Sequence, residues 1–398
     1  MNKAAAFSKE LEKIYKRFLS DDGSELDIPG ASEMLGELDW LHKTMLYSSI
    51  LPCVIVCGLG FFQIYFFMRY TSNEEIRAGM YFLIMMPPVS VITSLLAMYI
   101  PRSAGFLYAV TTTYYMLCMF MVVQLMFDMF GCRRALARYL KKNGIMIKLS
   151  VPPYASCCTC APDIKPRLRN VLVIEACILQ TVIVRIVLQV LELIAYFELR
   201  HRQHVFFTIS NFVNIVSMYF SLYFVYVLFE VAKKRLEPYR FGLLFKIHDT
   251  ILSVPAHQKL ILDLLVALDL IGNVNNLPAS NVAMFYLNFL LIWEFLIVSL
   301  YSTYAFQPDK TLLFDEFYRR KQRDNDDPPT LKIVSTQQEE FLNSYSDSRE
   351  EIQPRAKRSR SYLQVSVTML IFALYIDNFL HNNVKLGLEY YSSRHSLF

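Results

Sequence analysis

Charged side chains are scarce in this sequence. Asp, Glu, Lys and Arg make up 19% of 398 residues, where an ordinary soluble domain carries about a quarter. With 54% hydrophobic residues and a mean hydropathy of +0.31, that shortage excludes a water-soluble globular chain. The usual signatures of an enzyme are missing too. The chain has no glycine-rich phosphate loop, no His-Glu-x-x-His zinc pattern and no Gly-x-Ser-x-Gly elbow. No catalytic residue, metal site or cofactor is therefore expected. Residues 1–19 lack an apolar h-region, so no cleavable secretory signal is expected and the first apolar run must direct insertion. The formal net charge of +5 does not point to nucleic acid, because the basic residues collect at the ends of apolar runs and in the tail.

What the chain does have is seven long apolar runs, at 45–68, 80–100, 106–130, 171–197, 205–231, 241–271 and 282–306. Each reaches the roughly 20 residues that a helix needs to cross a bilayer. Backbone polar groups find no water in hydrocarbon, so closed helices are the natural solution. The predicted fold is an all-α integral membrane protein, a seven-transmembrane helix bundle. Lys and Arg near the run ends set the orientation. Placing the C-terminus inside leaves 20 of them on the inner side and 4 on the outer, which predicts N-terminus out and C-terminus in. Residues 1–44 are then an extracellular segment. Within it, residues 4–18 show a helical pattern that fits either a helix lying near the membrane or a flexible tail. No short outer loop contains a cysteine, so no extracellular disulfide is expected.

The loop 131–170 carries nine basic side chains against one acid, Asp163. At its centre lie Cys157, Cys158 and Cys160. Cytosolic thiols favour reduction over a disulfide. Three thiols without a nearby histidine fall short of the four ligands of a structural zinc site. Reversible S-acylation of juxtamembrane cysteines is the favoured reading, against three idle thiols. Residues 307–398 form a charged, Pro- and Ser-containing cytoplasmic tail, solvated and partly disordered. Inside it, 362–380 is apolar and follows a basic run, which suits an interfacial helix held by anionic membrane lipid; an eighth span is the alternative.

Polar residues at membrane depth usually face a bundle interior. Span four carries Arg185, Gln189 and Glu192 along one helical face. Arg185 either pairs with Glu192 or meets a solute. Span six is the least apolar, with Lys246, His248, Asp249, Pro255, His257, Gln258, Lys259 and Asp263. A helix this polar is not expected to face lipid along its length, and Pro255 is expected to kink it. His248 beside Asp249 reads as a structural or a titrating pair. Asp128, Gln180, Asn211 and Glu294 complete a predicted polar seam along the substrate pathway.

The chain resembles the alpha subunit of the organic solute transporter. The likeness rests on Ile100-Pro101-Arg102-Ser103 entering span three, then Tyr114, Cys118, Phe120 and Phe130-Gly131. It continues through PPYASCCTCAP, the spacing of Gln180 to Arg185, and Glu294 in span seven. It covers roughly residues 80–306. Three thiols here stand where family members often have a denser cysteine run, and span six is more polar than the family pattern. The resemblance implies facilitated, carrier-like movement of amphipathic organic anions such as bile acids, sterol conjugates and steroid sulfates. It also implies a single-span beta subunit and residence in the plasma membrane, or in the endoplasmic reticulum when that partner is lacking. Homo-oligomerisation is compatible with it. The competing classes are a seven-span receptor, which shares the topology, and a trafficking protein without a solute. Span three ends without Asp-Arg-Tyr and span seven without Asn-Pro-x-x-Tyr, which weighs against the receptor.

Overall fold

The computed structural model describes residues 31–151, 163–199, 205–274 and 277–324. Among them the regular structure is helical, apart from isolated β-bridges at Ile147–Ile164 and Val274–Leu277. A short α1 (Ala31–Glu37) precedes span one, which consists of α2 (Trp40–Ser48) and α3 (Ile50–Tyr70). Span two is α4 (Glu74–Ile84) followed by α5 (Met86–Tyr99). Span three, α6 (Ala104–Met129), is entered through a 3-10 turn at Pro101–Ser103, and α7 (Arg133–Lys142) lies in the basic loop. Spans four to seven are α8 (Leu168–Leu199), α9 (Val205–Leu236), α10 (Phe241–Ala267) and α11 (Ala279–Ala305); α12 (Asp315–Asp324) follows. Seven of these stretches are long and apolar enough to cross a membrane, as the apolar runs predicted. The protein is an all-α, multi-pass membrane protein.

Span two begins six residues before the predicted start, and local chemistry explains why. The Asn73 side chain accepts from the Glu75 and Ile76 amides at 3.0 and 3.4 Å, while Glu74 and Glu75 occupy the first turn. Both features stabilise a helix N-terminus. The helix is then interrupted at Met85, because Pro87 and Pro88 have no amide hydrogen to give to the preceding turn. At this break α5 approaches α3 closely. A Cβ added to Gly60 would lie 2.6 Å from Pro88 Cγ, so only glycine fits there without movement.

Span three is the most enclosed of the seven, with Tyr115, Cys118, Met119, Leu125 and Phe127 at most 2% exposed. It packs against α4, α5 and α8. Being apolar all round, it belongs at the centre of a bundle. Span six differs from expectation. The helix runs unbroken through Pro255, and Leu260, Ile261 and Leu264 make one of its faces exposed. His248 is buried and Asp249, Gln258 and Lys259 are half-buried, while Lys246 and His257 are exposed together with that apolar face.

The start of the tail also differs. Residues 311–315, expected to be solvated, are packed against the ends of spans one and five. Thr71 donates its hydroxyl to the Leu313 carbonyl at 3.1 Å, and Ser72 binds the Asp315 carboxylate through both its amide and its hydroxyl. Phe314 is fully buried, with its ring 4.6 Å from that of Phe67. Thr311 Oγ1 reaches the Tyr239 carbonyl at 3.0 Å. The predicted interfacial helix at 362–380 lies outside the described residues.

Candidate substrate pathway

Arg185 projects from the middle of α8 toward span three, where its guanidinium donates to the Thr112 hydroxyl. Tyr108, one turn earlier on α6, is within its electrostatic reach. The guanidinium Nε is buried and has no partner. Of the two expected partners of Arg185, Glu192 forms no ion pair with it. Glu192 instead accepts from the Ser210 hydroxyl of α9 and from Gln189 Nε2 at 3.3 Å. The three residues share one helical face, as their spacing predicts, but Glu192 is engaged two turns beyond Arg185.

Spans four and five run antiparallel as a closely packed pair. Their register is fixed by Glu192–Ser210, by Ser217 Oγ donating to Thr181 at 3.0 Å, and by Ser221 Oγ donating to the Ile178 carbonyl at 3.3 Å. Gln180 belongs to this seam of contacts, with its amide 3.3 Å from Ser221 Oγ. The register places Asn214 opposite the turn that holds Arg185 and Gln189. Asn214 is buried, and neither its amide nitrogen nor its oxygen has a partner. Gln189 Oε1 is likewise orphaned. Donors on Arg185 and Asn214 and acceptors on Gln189 and Asn214 thus lie unmet at one level of the bundle, where an unpaired buried polar group costs about 1–3 kcal/mol.

Span six supplies the other side. Lys259 is bound to Asp263 at 2.6 Å, and its ammonium lies 5.6 Å from the centroid of the Tyr108 ring. Tyr108 therefore stands between two cations, Arg185 and Lys259. Next to Lys259, Gln258 donates to Glu294 of span seven. The second Glu294 oxygen and Gln258 Oε1 are buried without partners. Arg185, Tyr108 and Lys259 thus connect α8 through α6 to α10, and Gln258–Glu294 connects α10 to α11.

Other predicted residues fall elsewhere. Asn211 is on the exposed face of α9. His248 and Asp249 are consecutive, so the helix turns them about 100° apart. Asp249 accepts from Tyr226 at 2.5 Å and from Ser253 at 3.3 Å, and it is not paired with His248. His248 is 4% exposed and lines a separate cavity of about 40 Å³ with Gln63, Pro88, Ser299 and Ser302. Asp128 sits at the end of α6 beside Arg133, away from the seam. There, Arg133 grips Glu175 with two nitrogens and donates to Gln124 Oε1 at 2.7 Å, while Gln124 Nε2 reaches Glu175 at 2.9 Å. Burial works against the Arg133 charge, but Glu175 more than offsets it and raises the guanidinium pKa. Glu175 is thereby a structural bridge between spans three and four. Cys157, Cys158 and Cys160 lie outside the described residues.

Sequence reasoning missed Tyr108 and Thr112, which read as ordinary apolar-run residues. It also missed Asn214, although a signal was present. Ser210, Asn214, Ser217 and Ser221 recur at helical spacing, and Asn211 is off that stripe. Among the described residues no three of His, Cys, Asp and Glu gather as a metal site would require.

A seven-span helical bundle with partnerless polar atoms along an interior seam has the layout of a membrane carrier, in which polar groups at depth contact what passes. The chain belongs to the family described as Organic solute transporter Ostalpha, whose family model matches residues 45–311. That is a transporter family and not an enzyme family. Two relatives from Caenorhabditis elegans are named organic solute transporter alpha-like proteins. Protein 1 is 32% identical over 306 residues, 76% of this chain and 79% of the relative. Protein 3 is 28% identical over 293 residues, 73% of this chain and 84% of the relative. No solved structure matches the chain.

Proposed function

We propose that this transporter moves amphipathic organic anions of the bile-acid, sterol-conjugate or steroid-sulfate kind by facilitated, carrier-like passage along the seam. It acts as one subunit of a heteromer with a single-span beta subunit, in the plasma membrane, N-terminus out and C-terminus in. The observation that carries this reading is Arg185, whose buried Nε has no partner while Glu192 is held by Ser210 and Gln189. A guanidinium at this depth costs at least about 2.5 kcal/mol on insertion scales, and a passing sulfate or carboxylate offsets that cost. Tyr108 lies within reach of both Arg185 and Lys259, which offers a steroid an aromatic face and a second cation beside that guanidinium.

Uptake into vesicles tests this, normalised to surface protein and measured with and without a co-expressed single-span partner. The probes are sulfated and unsulfated forms of one steroid. Arg185→Gln should leave abundance near normal and cut transport of the sulfated form by about tenfold or more, the worth of a charged hydrogen bond. Arg185→Lys should be intermediate, because it keeps the charge and loses the planar fork. Equal loss for both steroids would remove Arg185 from the binding role. Recovery of both abundance and transport in Arg185→Gln/Glu192→Gln would assign the two residues to folding.

A further inference from the structure

The basic loop does more in the structure than mark a side of the membrane. Helix α7 is amphipathic. Leu136, Ala137 and Leu140 are buried against the bundle, while Arg134, Lys141 and Lys142 are exposed on the opposite face. Its first residue, Arg133, is tied to Glu175 only two turns into α8. That tie holds the helix at the level of the first turns of span four, where lipid headgroups meet a transmembrane helix. The loop's return arm is pinned to the outgoing one by paired backbone bonds between Ile147 and Ile164, at 3.0 and 2.9 Å. This brings exposed Lys165 and Arg167 back beside the end of α7.

Not every basic residue nearby is available. Arg133 is consumed by Glu175, and Arg235 lies over the rings of Phe130 and Tyr139 at 5.9 and 5.3 Å. Lys148 stands opposite Asp163 in the register of the Ile147–Ile164 bridge, and Arg138 is engaged by a neighbour. Arg134, Lys141 and Lys142 on the helix and Lys165 and Arg167 on the arm are turned outward, as is Arg169 at the start of α8. They have no carboxylate partner among the described residues. Their spacing on a fixed helix and a pinned arm differs from a flexible polybasic tail, which would sense only average surface charge.

We propose that α7 and the return arm form a binding site for the headgroup of a polyanionic inositol phospholipid in the adjoining leaflet. The helix supplies one wall and Lys165–Arg167 the other. Charge complementarity and headgroup depth favour lipid over nucleic acid or an acidic protein, neither of which needs a helix buried along one side at the membrane boundary. The proposal is independent of what the seam carries.

The test uses the full chain in phosphatidylcholine nanodiscs containing either a bisphosphorylated phosphatidylinositol or phosphatidylserine at matched total charge. Bound lipid is counted by native mass spectrometry. Saturable retention of the inositol lipid, well above phosphatidylserine, is expected. Each basic side chain near an anionic surface contributes about fivefold. Arg134→Gln/Lys141→Gln/Lys142→Gln should therefore weaken retention on the order of a hundredfold, and glutamine keeps the helix intact. Lys165→Gln/Arg167→Gln, which leaves α7 untouched, should weaken it by about twentyfold. Lys234→Gln/Lys246→Gln, exposed at the same end but off the platform, should retain the lipid as the parent does. Equal retention of both lipids, or equal loss in the Lys234/Lys246 control, would overturn the proposal.

Discussion

Replacing Arg133 by Met tests whether the boundary network holds α6, α7 and α8 together. The change strands Glu175, whose side chain is 12% exposed, with Gln124 Nε2 as its remaining donor. Breaking a fully buried ion pair costs about 3–5 kcal/mol, because one charge stays behind uncompensated. Here the Arg133 side chain is 35% exposed, and water screens part of the interaction. A loss of about 2–3 kcal/mol follows once that range is discounted for the exposure. At about 2 °C per kcal/mol for a chain of this size, the unfolding midpoint should fall by about 4–6 °C. Glu175→Met should cost somewhat less, since the arginine it leaves is nearer water. The double change Arg133→Met/Glu175→Met should recover to within about 1 kcal/mol of the parent, because apolar replacement of a whole buried pair is often neutral. Thermal unfolding of the purified protein in one detergent, followed by intrinsic fluorescence, gives all four midpoints. If the double variant is as low as the worse single variant, the residues are not coupled and the reasoning fails.

The close approach at the span two break predicts a contrast within one helix. Gly60→Ala should cost about 1–3 kcal/mol, since its Cβ meets a proline ring closed onto the backbone. Gly58→Ala, with open space around its Cβ, should be neutral or stabilising by about 0.5–1 kcal/mol; matching midpoints for the two would refute the packing argument. Asn214→Leu should raise the midpoint, because it removes two unpartnered buried polar atoms, and should lower transport of the anionic steroid. Unchanged transport would exclude Asn214 from the pathway. Thiol-exchange mass tagging should detect acyl groups on the parent and lose them in Cys157→Ser/Cys158→Ser/Cys160→Ser; equal tagging of both would reject acylation.

Hydropathy is a local and nearly additive property, so the number and order of the seven spans were determined by the sequence alone. So was the polar face of span four, because Arg185, Gln189 and Glu192 recur at the helical period whatever they pack against. The break in span two was also written there, in Pro87-Pro88, although it is recognisable as a break only beside the close approach of Gly60. Partnership was decided by tertiary structure. Glu175 meets Arg133 from 42 residues away, and Glu192 takes Ser210 from the next helix and leaves Arg185 to Thr112. No one-dimensional pattern distinguishes those choices, since each depends on which helices lie side by side and in what register. The same holds for span three, whose even apolarity fits a lipid-facing helix and a central one alike. Only the packing of α4, α5 and α8 around it makes it the core, and Tyr108 and Thr112 thereby become walls of the seam.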